Sequence, residues 1–220
     1  MAKKVLELNV DFKKQSKLGD NGSFSLQPLE RGYGTTIGNA MRRVLLTSIP
    51  GAAITHVKID GVQHEFSTID GVKDDVADII MNLKKVRFKL MDSAPDKVTL
   101  SIKGKKSFTA QDIQNASDQF EVLNPEEYIT EVNSKGKLDI ELRIGIGKGY
   151  VPSEANDKPN LSVGTLSIDS IFNPVTNVTF NVQPVPGAKD PIEILSLDVT
   201  TDGSITALAS TEFWASSFWF

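Results

Sequence analysis

From Leu138 to Ile146 every second residue is aliphatic: Leu138, Ile140, Leu142, Ile144 and Ile146 alternate with charged residues or glycine. A period of two fits an extended strand with one buried face, because a helix would scatter the same side chains around its axis. The pattern recurs at Leu6, Leu8, Val10 and Phe12, at Phe24 and Leu26, at Thr55, Val57 and Ile59, at Val86, Phe88 and Leu90, at Val98, Leu100 and Ile102, and at Leu195, Leu197 and Val199. Residues 163–171 and 175–182 also read as extended, and Asp20-Asn21-Gly22, Asn133 to Gly136 and Asp202-Gly203 are turn signals. Two stretches depart from this pattern. One predicts a helix from about Thr36 to Ser48, after the break at Pro28 to Gly34, capped by Thr35 or Thr36 and stopped by Pro50. Its stripe is Ile37, Met41, Val44, Leu45 and Ser48, and Gly38 lets another backbone approach closely. The other begins after Gly71, with Val72, Val76, Ile79, Ile80 and Leu83 at helical spacing, Asp74 and Asp75 in its first turn and Lys84 and Lys85 in its last. Many strands and two amphipathic helices, without regular alternation, predict an α+β fold rather than a doubly wound parallel sheet.

At 220 residues the chain is one large domain or two small ones. With 40% hydrophobic and 24% charged residues and no long apolar run, it is expected to be soluble, with no membrane span. A net charge of −4 argues against gripping nucleic acid directly. The absence of cysteine removes disulfides, thiolate nucleophiles and sulfur-based zinc sites and suggests a reducing compartment. The start, two lysines followed directly by alternating residues, lacks the apolar block of a secretory signal, so the expected location is the cytoplasm.

Catalytic chemistry finds little footing. His56 and His64 lie eight residues apart in no ligand or triad pattern, and no catalytic part is assigned to them. Asp74, Asp75 and Asp78 suit a helix start better than a metal cluster. Gly145 to Gly149 resembles a phosphate loop only superficially, because no serine or threonine follows Lys148 and Pro152 follows soon after. No G-x-S-x-G elbow is present. Lys84, Lys85, Arg87 and Lys89 form the densest basic run, which is expected to be a solvated helix end unless a partner covers it. Elimination favours an interaction or scaffold protein over a stand-alone enzyme.

The segment Leu26-Gln27-Pro28-Leu29-Glu30-Arg31-Gly32-Tyr33-Gly34-Thr35-Thr36-Ile37-Gly38-Asn39-Ala40-Met41-Arg42-Arg43-Val44-Leu45-Leu46 closely resembles the amino-terminal domain of the bacterial DNA-directed RNA polymerase alpha subunit. The likeness continues in the same order through Ile59 to Ser67, Asn82-Leu83-Lys84, Gly149-Tyr150-Val151-Pro152, Asn173-Pro174-Val175 and Thr201 to Ile205. It implies a dimerisation domain built from both chain ends, residues 1–50 and 173–220, around an inserted, mostly β domain, 51–172. It also implies a subunit that does no chemistry and holds no cofactor or metal. Two copies pair and scaffold the beta and beta-prime subunits, and DNA is met only through the complex. By the same resemblance Arg42, Arg43, Leu46 and Lys84 belong to the large-subunit interface, with Lys84 matching a position of beta-prime docking. Tyr33, Ile37, Met41 and Val44 are assigned to the homodimer contact, with ordinary intrachain core as the competing use of the same side chains.

Three departures accompany the resemblance. Gln183 to Pro191 replaces a glutamine-, threonine- and aspartate-bearing segment, and Lys148 stands where the family commonly has arginine. Where the family has a long charged helix, this sequence offers 206–220, with Phe213, Trp214, Phe218, Trp219 and Phe220 and Glu212 as its one charge. The last feature leaves open a truncated or divergent alpha-like binding protein that assembles no polymerase. With no carboxyl-terminal DNA-binding module in these 220 residues, no promoter contact by the chain itself is expected.

Overall fold

The computed structural model describes residues 7–12, 21–90, 97–104, 106–157, 161–187 and 191–211. In chain order the elements are β1 (Glu7–Phe12), β2 (Asn21–Glu30), α1 (Tyr33–Thr47), β3 (Pro50–Ile59), α2 (Val76–Leu83), β4 (Phe88–Leu90), β5 (Lys97–Lys103), β6 (Lys106–Thr109) and α3 (Ala110–Gln114). They continue with β7 (Phe120–Val122), β8 (Tyr128–Val132), β9 (Lys137–Lys148), β10 (Tyr150–Val151), α4 (Ser153–Asn156), β11 (Thr165–Ser167), β12 (Ser170–Ile171), β13 (Val175–Pro184) and β14 (Ile192–Thr201). The described strand pairs are antiparallel and the fold is α+β. The chain folds into two compact units, Met1–Ile49 with Asn173–Phe220, and Pro50–Phe172.

The first unit is a four-stranded sheet in the order β1-β2-β14-β13. Leu195, Leu197 and Val199 turn one face of β14 inward, and Leu197 sits opposite Phe24, so the alternation becomes a buried layer. Of the turn expected at Asp20-Asn21-Gly22, Asn21 and Gly22 belong to β2, and Asp20 lies outside the described residues. The strand also runs through Pro28 where a break was expected; the β2 to β14 register slips between Glu193 and Leu195, a bulge that tolerates a residue without an N–H. Helix α1 lies against β13, β14 and β2. Its buried residues are Gly34, Gly38, Met41 and Leu45, so the inward stripe is turned from the expected Ile37, Met41, Val44, Leu45 and Ser48. The reason is close approach: a Cβ on Gly38 would lie 2.5 Å from Cδ2 of Phe180, and one on Gly34 would lie 2.6 Å from Cγ1 of Val182. Residues 207–211 are helical, with Ala207 in this unit's core, and the aromatic stretch 213–220 lies outside the described residues.

The second unit is built on a six-stranded sheet whose main path is β5-β9-β3-β4-β7, with β11 added to β3. The long alternation lies on β9, which pairs with β5 on one side and β3 on the other and buries Leu138, Ile140, Leu142 and Ile144. Helix α2 covers Val76, Ile79, Ile80 and Leu83 in the same core. It starts later than expected: the Asp75 carboxylate accepts the Asp78 N–H at 2.9 Å as the cap, while Val72 makes a bridge to Val132. Asp74 lies before the helix and accepts hydrogen bonds from Tyr128 Oη (2.7 Å) and Thr130 Oγ1 (2.8 Å). Residues 163–171, expected as one extended run, form the two short strands β11 and β12. No helical expectation covered α3, whose five residues are too few to display a period.

Candidate functional site

Successive residues of an α-helix are rotated by about 100°, so the burial of Gly34, Gly38, Met41 and Leu45 dictates where every other α1 side chain points. Arg43 points away from the sheet, and Arg42 with Leu46 one turn later lies on the flank; both arginines are exposed and Leu46 is half-buried. Among the described residues neither guanidinium makes a hydrogen bond or ion pair. Two planar donor forks on one helix are therefore without a partner among the described residues, and their geometry suits carboxylates or carbonyls. Tyr33, 57% exposed, with half-buried Ile37 and Val44, forms the opposite flank. Met41 does not share it. At 6% exposure Met41 is part of the unit's own core, because its position falls on the glycine stripe that meets the sheet.

The start of α1 is held from a distance. Gly32 precedes it with φ +91°, and no side chain caps it locally. Glu193 of β14 supplies a carboxylate whose Oε2 accepts the Gly34 N–H at 3.2 Å, where the helix dipole favours negative charge. Thr36, expected as a cap, donates its hydroxyl to the Gly32 carbonyl at 3.3 Å, so it does not satisfy a helix amide through that bond.

The basic run at the end of α2 behaves differently. Lys84 Nζ pairs with Asp169 Oδ2 at 2.9 Å, and Lys85 Nζ donates to Asn82 Oδ1 at 2.9 Å. Arg87 Nη1 donates to the Ile171 carbonyl at 3.2 Å, and Lys89 faces Glu121 at 3.9 Å. Each of the four cations has a partner inside the second unit. The Lys84 ammonium and the Ser153 amide hold the Asp169 carboxyl below the usual carboxylate range.

His56 is buried beside α4. Its Nε2 donates to the Asn156 carbonyl at 3.0 Å and its Nδ1 lies 2.8 Å from Thr55 Oγ1, so both ring nitrogens are satisfied structurally. His64 Nδ1 lies 3.1 Å from Ser67 Oγ on the surface. The glycine-rich stretch continues β9 through Lys148 and does not open a helix. Among the described residues no group of three or more His, Asp or Glu side chains is placed to hold a metal ion, and no helix is long and apolar enough to cross a membrane.

The first unit's antiparallel sheet is thus interrupted in sequence by a second, β-rich unit, and α1 carries two exposed arginines with no partner among the described residues. Residues 57–173 match the RNA polymerase Rpb3/RpoA insert domain, and the chain belongs to that family. Similar proteins include the DNA-directed RNA polymerase subunit alpha of Chloroherpeton thalassium, 52% identical over 185 residues, which is 84% of this chain and 56% of that protein. The subunit alpha of Chlorobaculum tepidum is 51% identical over 198 residues, 90% of this chain and 60% of its own. That of Salinibacter ruber is 52% identical over 186 residues, 84% and 57% respectively. The chain thus spans under two thirds of the length of these relatives.

Proposed function

We propose that this chain is the assembly part of a DNA-directed RNA polymerase alpha subunit, a scaffold that pairs with a second copy and recruits the beta and beta-prime subunits in the cytoplasm. It contributes no catalytic residue and binds no cofactor; its effect on RNA synthesis is to hold the subunits that perform it. The supporting observation is the exposed pair Arg42 and Arg43 on α1, neither of which has a hydrogen-bond or ion-pair partner among the described residues, so that both donor forks are accessible to carboxylates or carbonyls of another molecule. Relatives alike over 84 to 90% of this chain are named as polymerase alpha subunits.

Arg42, Arg43 and Leu46 are assigned to a large-subunit contact and Tyr33, Ile37 and Val44 to the homodimer contact. Reconstitution with beta and beta-prime, followed by an RNA synthesis assay, tests the proposal. Arg43→Ala should reduce co-purification of the beta subunit without changing the thermal transition, and unchanged co-purification would remove Arg43 from the interface. A Tyr33→Glu, Val44→Glu variant should become monomeric by light scattering, and a normal dimer would exclude that flank. Met41→Glu is unsuited to this test, because it places a charge in the core of its own unit.

A further inference from the structure

We infer that His56 is a proton-operated latch: with a hydrogen on each ring nitrogen it fastens the end of α4 to β3 and β9, and when the ring is neutral one bond of that fastening opens. The inference does not depend on the function proposed above, since every group in it belongs to the second unit.

The end of α4 is held by a chain of polar groups that runs through the interior. Ser170 Oγ donates to the Ile54 carbonyl on β3 at 2.8 Å. Asn156 Nδ2 donates to that hydroxyl at 3.0 Å and to the Ile168 carbonyl at 2.8 Å. The Asn156 main-chain carbonyl in turn accepts from His56 Nε2 at 3.0 Å. His56 Nδ1 stands 2.8 Å from Thr55 Oγ1, and that hydroxyl donates to the Arg143 carbonyl on β9 at 3.2 Å. His56, Asn156 and Ser170 are all buried, so bulk water does not make up for a missing partner.

The hydrogens available fix the charge on the ring. Nε2 faces a carbonyl, which can only accept, so this nitrogen carries a hydrogen. The single hydroxyl hydrogen of Thr55 is directed at the Arg143 carbonyl, which leaves Thr55 Oγ1 as an acceptor for Nδ1. All three bonds exist together only in the imidazolium. A neutral ring forces a choice. Without its hydrogen, Nδ1 draws the Thr55 hydroxyl away from Arg143 O; without its own, Nε2 turns a lone pair on the Asn156 carbonyl. Protonation thus adds one hydrogen bond and puts charge into the bond that reaches α4.

The surroundings supply the opposing forces. Arg143 on β9 sits opposite His56 in the strand register, Lys97 on β5 sits opposite Arg143, and both disfavour a further positive charge. Glu141 answers them, with its carboxylate 2.8 Å from Lys97 Nζ and 3.6 Å from Arg143 Nε. On the remaining sides, β11 places uncharged Ser167 opposite His56, Lys58 of β3 reaches Ser162, and Asp169 beside Ser170 is paired with Lys84. Glu154 in α4 and Asp157 just after it are exposed and share a groove with His64. His56 is therefore poised between hydrogen bonds that favour the cation and burial beside two cations that favours the neutral ring, which is the balance a switch requires.

Two measurements on the unaltered chain, made between about pH 5 and 8, test the latch. The ring nitrogen signals of His56 in NMR report its protonation. Hydrogen exchange of the Asp157 amide, which donates to Ser153 O at 3.0 Å, reports how firmly the end of α4 is held. His56 should gain its second proton on acidification, and protection at Asp157, corrected for the intrinsic pH dependence of exchange, should be roughly ten-fold greater below that transition than above it, the effect of about one hydrogen bond. The closed latch binds the proton more tightly than the open one, so protection is complete below the transition and is lost as pH rises through it. Thr55→Val should move the ring transition to lower pH, and Thr55→Ser should keep it in place. His56→Gln should abolish the step at Asp157, whereas His64→Gln should leave it intact. A ring whose protonation does not change in this range, or protection at Asp157 that ignores the ring, overturns the inference. A ring transition unmoved by Thr55→Val removes the relay to Arg143 and overturns it equally, as does a step that survives His56→Gln and vanishes in His64→Gln.

Discussion

Helix α1 closes on its sheet with glycines and leaves two arginines unpaired among the described residues, whereas α2 closes with branched aliphatic side chains and hands its basic end to internal partners. Both are amphipathic, yet they do different work. Branched residues at Val76, Ile79, Ile80 and Leu83 fill volume, so α2 is core material whose exposed groups serve its own unit. Glycine at 34 and 38 brings the α1 backbone to the Phe180 ring and the Val182 side chain, a contact that depends on shape. The rest of α1 is then rotated outward, and among the described residues no carboxylate pairs with its cations. A basic residue at a helix end thus says little by itself, and the informative distinction is whether the fold has already supplied its counter-charge.

The largest test of this contrast lies in the cores. Leu83→Ala removes a fully buried side chain from beneath α2 and should cost about 2–5 kcal/mol in urea denaturation. A loss below about 1 kcal/mol would mean that the site collapses freely and that α2 is not the packed element described. Next comes the shape-dependent contact of α1: Gly38→Val should cost about 1–3 kcal/mol through overpacking against Phe180. Met81→Val, on the exposed side of α2, should stay within about 0.5 kcal/mol. Equal effects at Gly38 and Met81 would break the comparison.

How far the sequence discloses these features follows from how local their causes are. The β9 alternation and the α2 stripe were readable because consecutive residues carry the whole signal, and so was the α+β class. The true face of α1 was not, because it is set by Phe180 and Val182, about 140 residues away, and a glycine has no side chain with which to announce burial. For the same reason Met41 read as part of the homodimer contact, with the core as the competing use, although it lies in the core of its own unit. The counter-charge of Lys84 lies 85 residues on at Asp169, and the carboxylate at the start of α1 lies 159 residues from Gly34. The two arginines were legible in part: adjacency showed that Arg42 and Arg43 cannot share a direction, but only the fold shows both without a partner among the described residues.

Cap chemistry offers a smaller test. Asp75→Ala removes a local cap and should destabilise the second unit by about 1 kcal/mol. Glu193→Ala removes the distant carboxylate from α1 and should cost about 0.5–1 kcal/mol, with amide exchange rising first at Gly34. Exchange at Gly34 that ignores Glu193 would mean that the first turn of α1 is held by packing alone.

The smallest effect is a pH dependence confined to the second unit. Burial and then the hydrogen bond to Asp74 push the Tyr128 hydroxyl up from its ordinary value of 10 to about 12. Between those values the unfolded chain has released the phenol proton while the folded chain still holds it, so the unfolded state binds fewer protons and stability falls as pH rises. The contribution is complete below about pH 10 and is lost on passing about pH 12. Because Tyr128 is 38% exposed, solvent screens the interaction and the slope should be shallow. Tyr128→Phe removes both the titrating proton and the bond to Asp74, so the difference in urea stability between the parent and this variant should shrink steadily from pH 10 to 12. A constant difference across that range would show that the hydroxyl ionises alike in folded and unfolded chains. Asp74 would then be a surface acid before α2, without the stapling role that its bonds to Tyr128 and Thr130 give it.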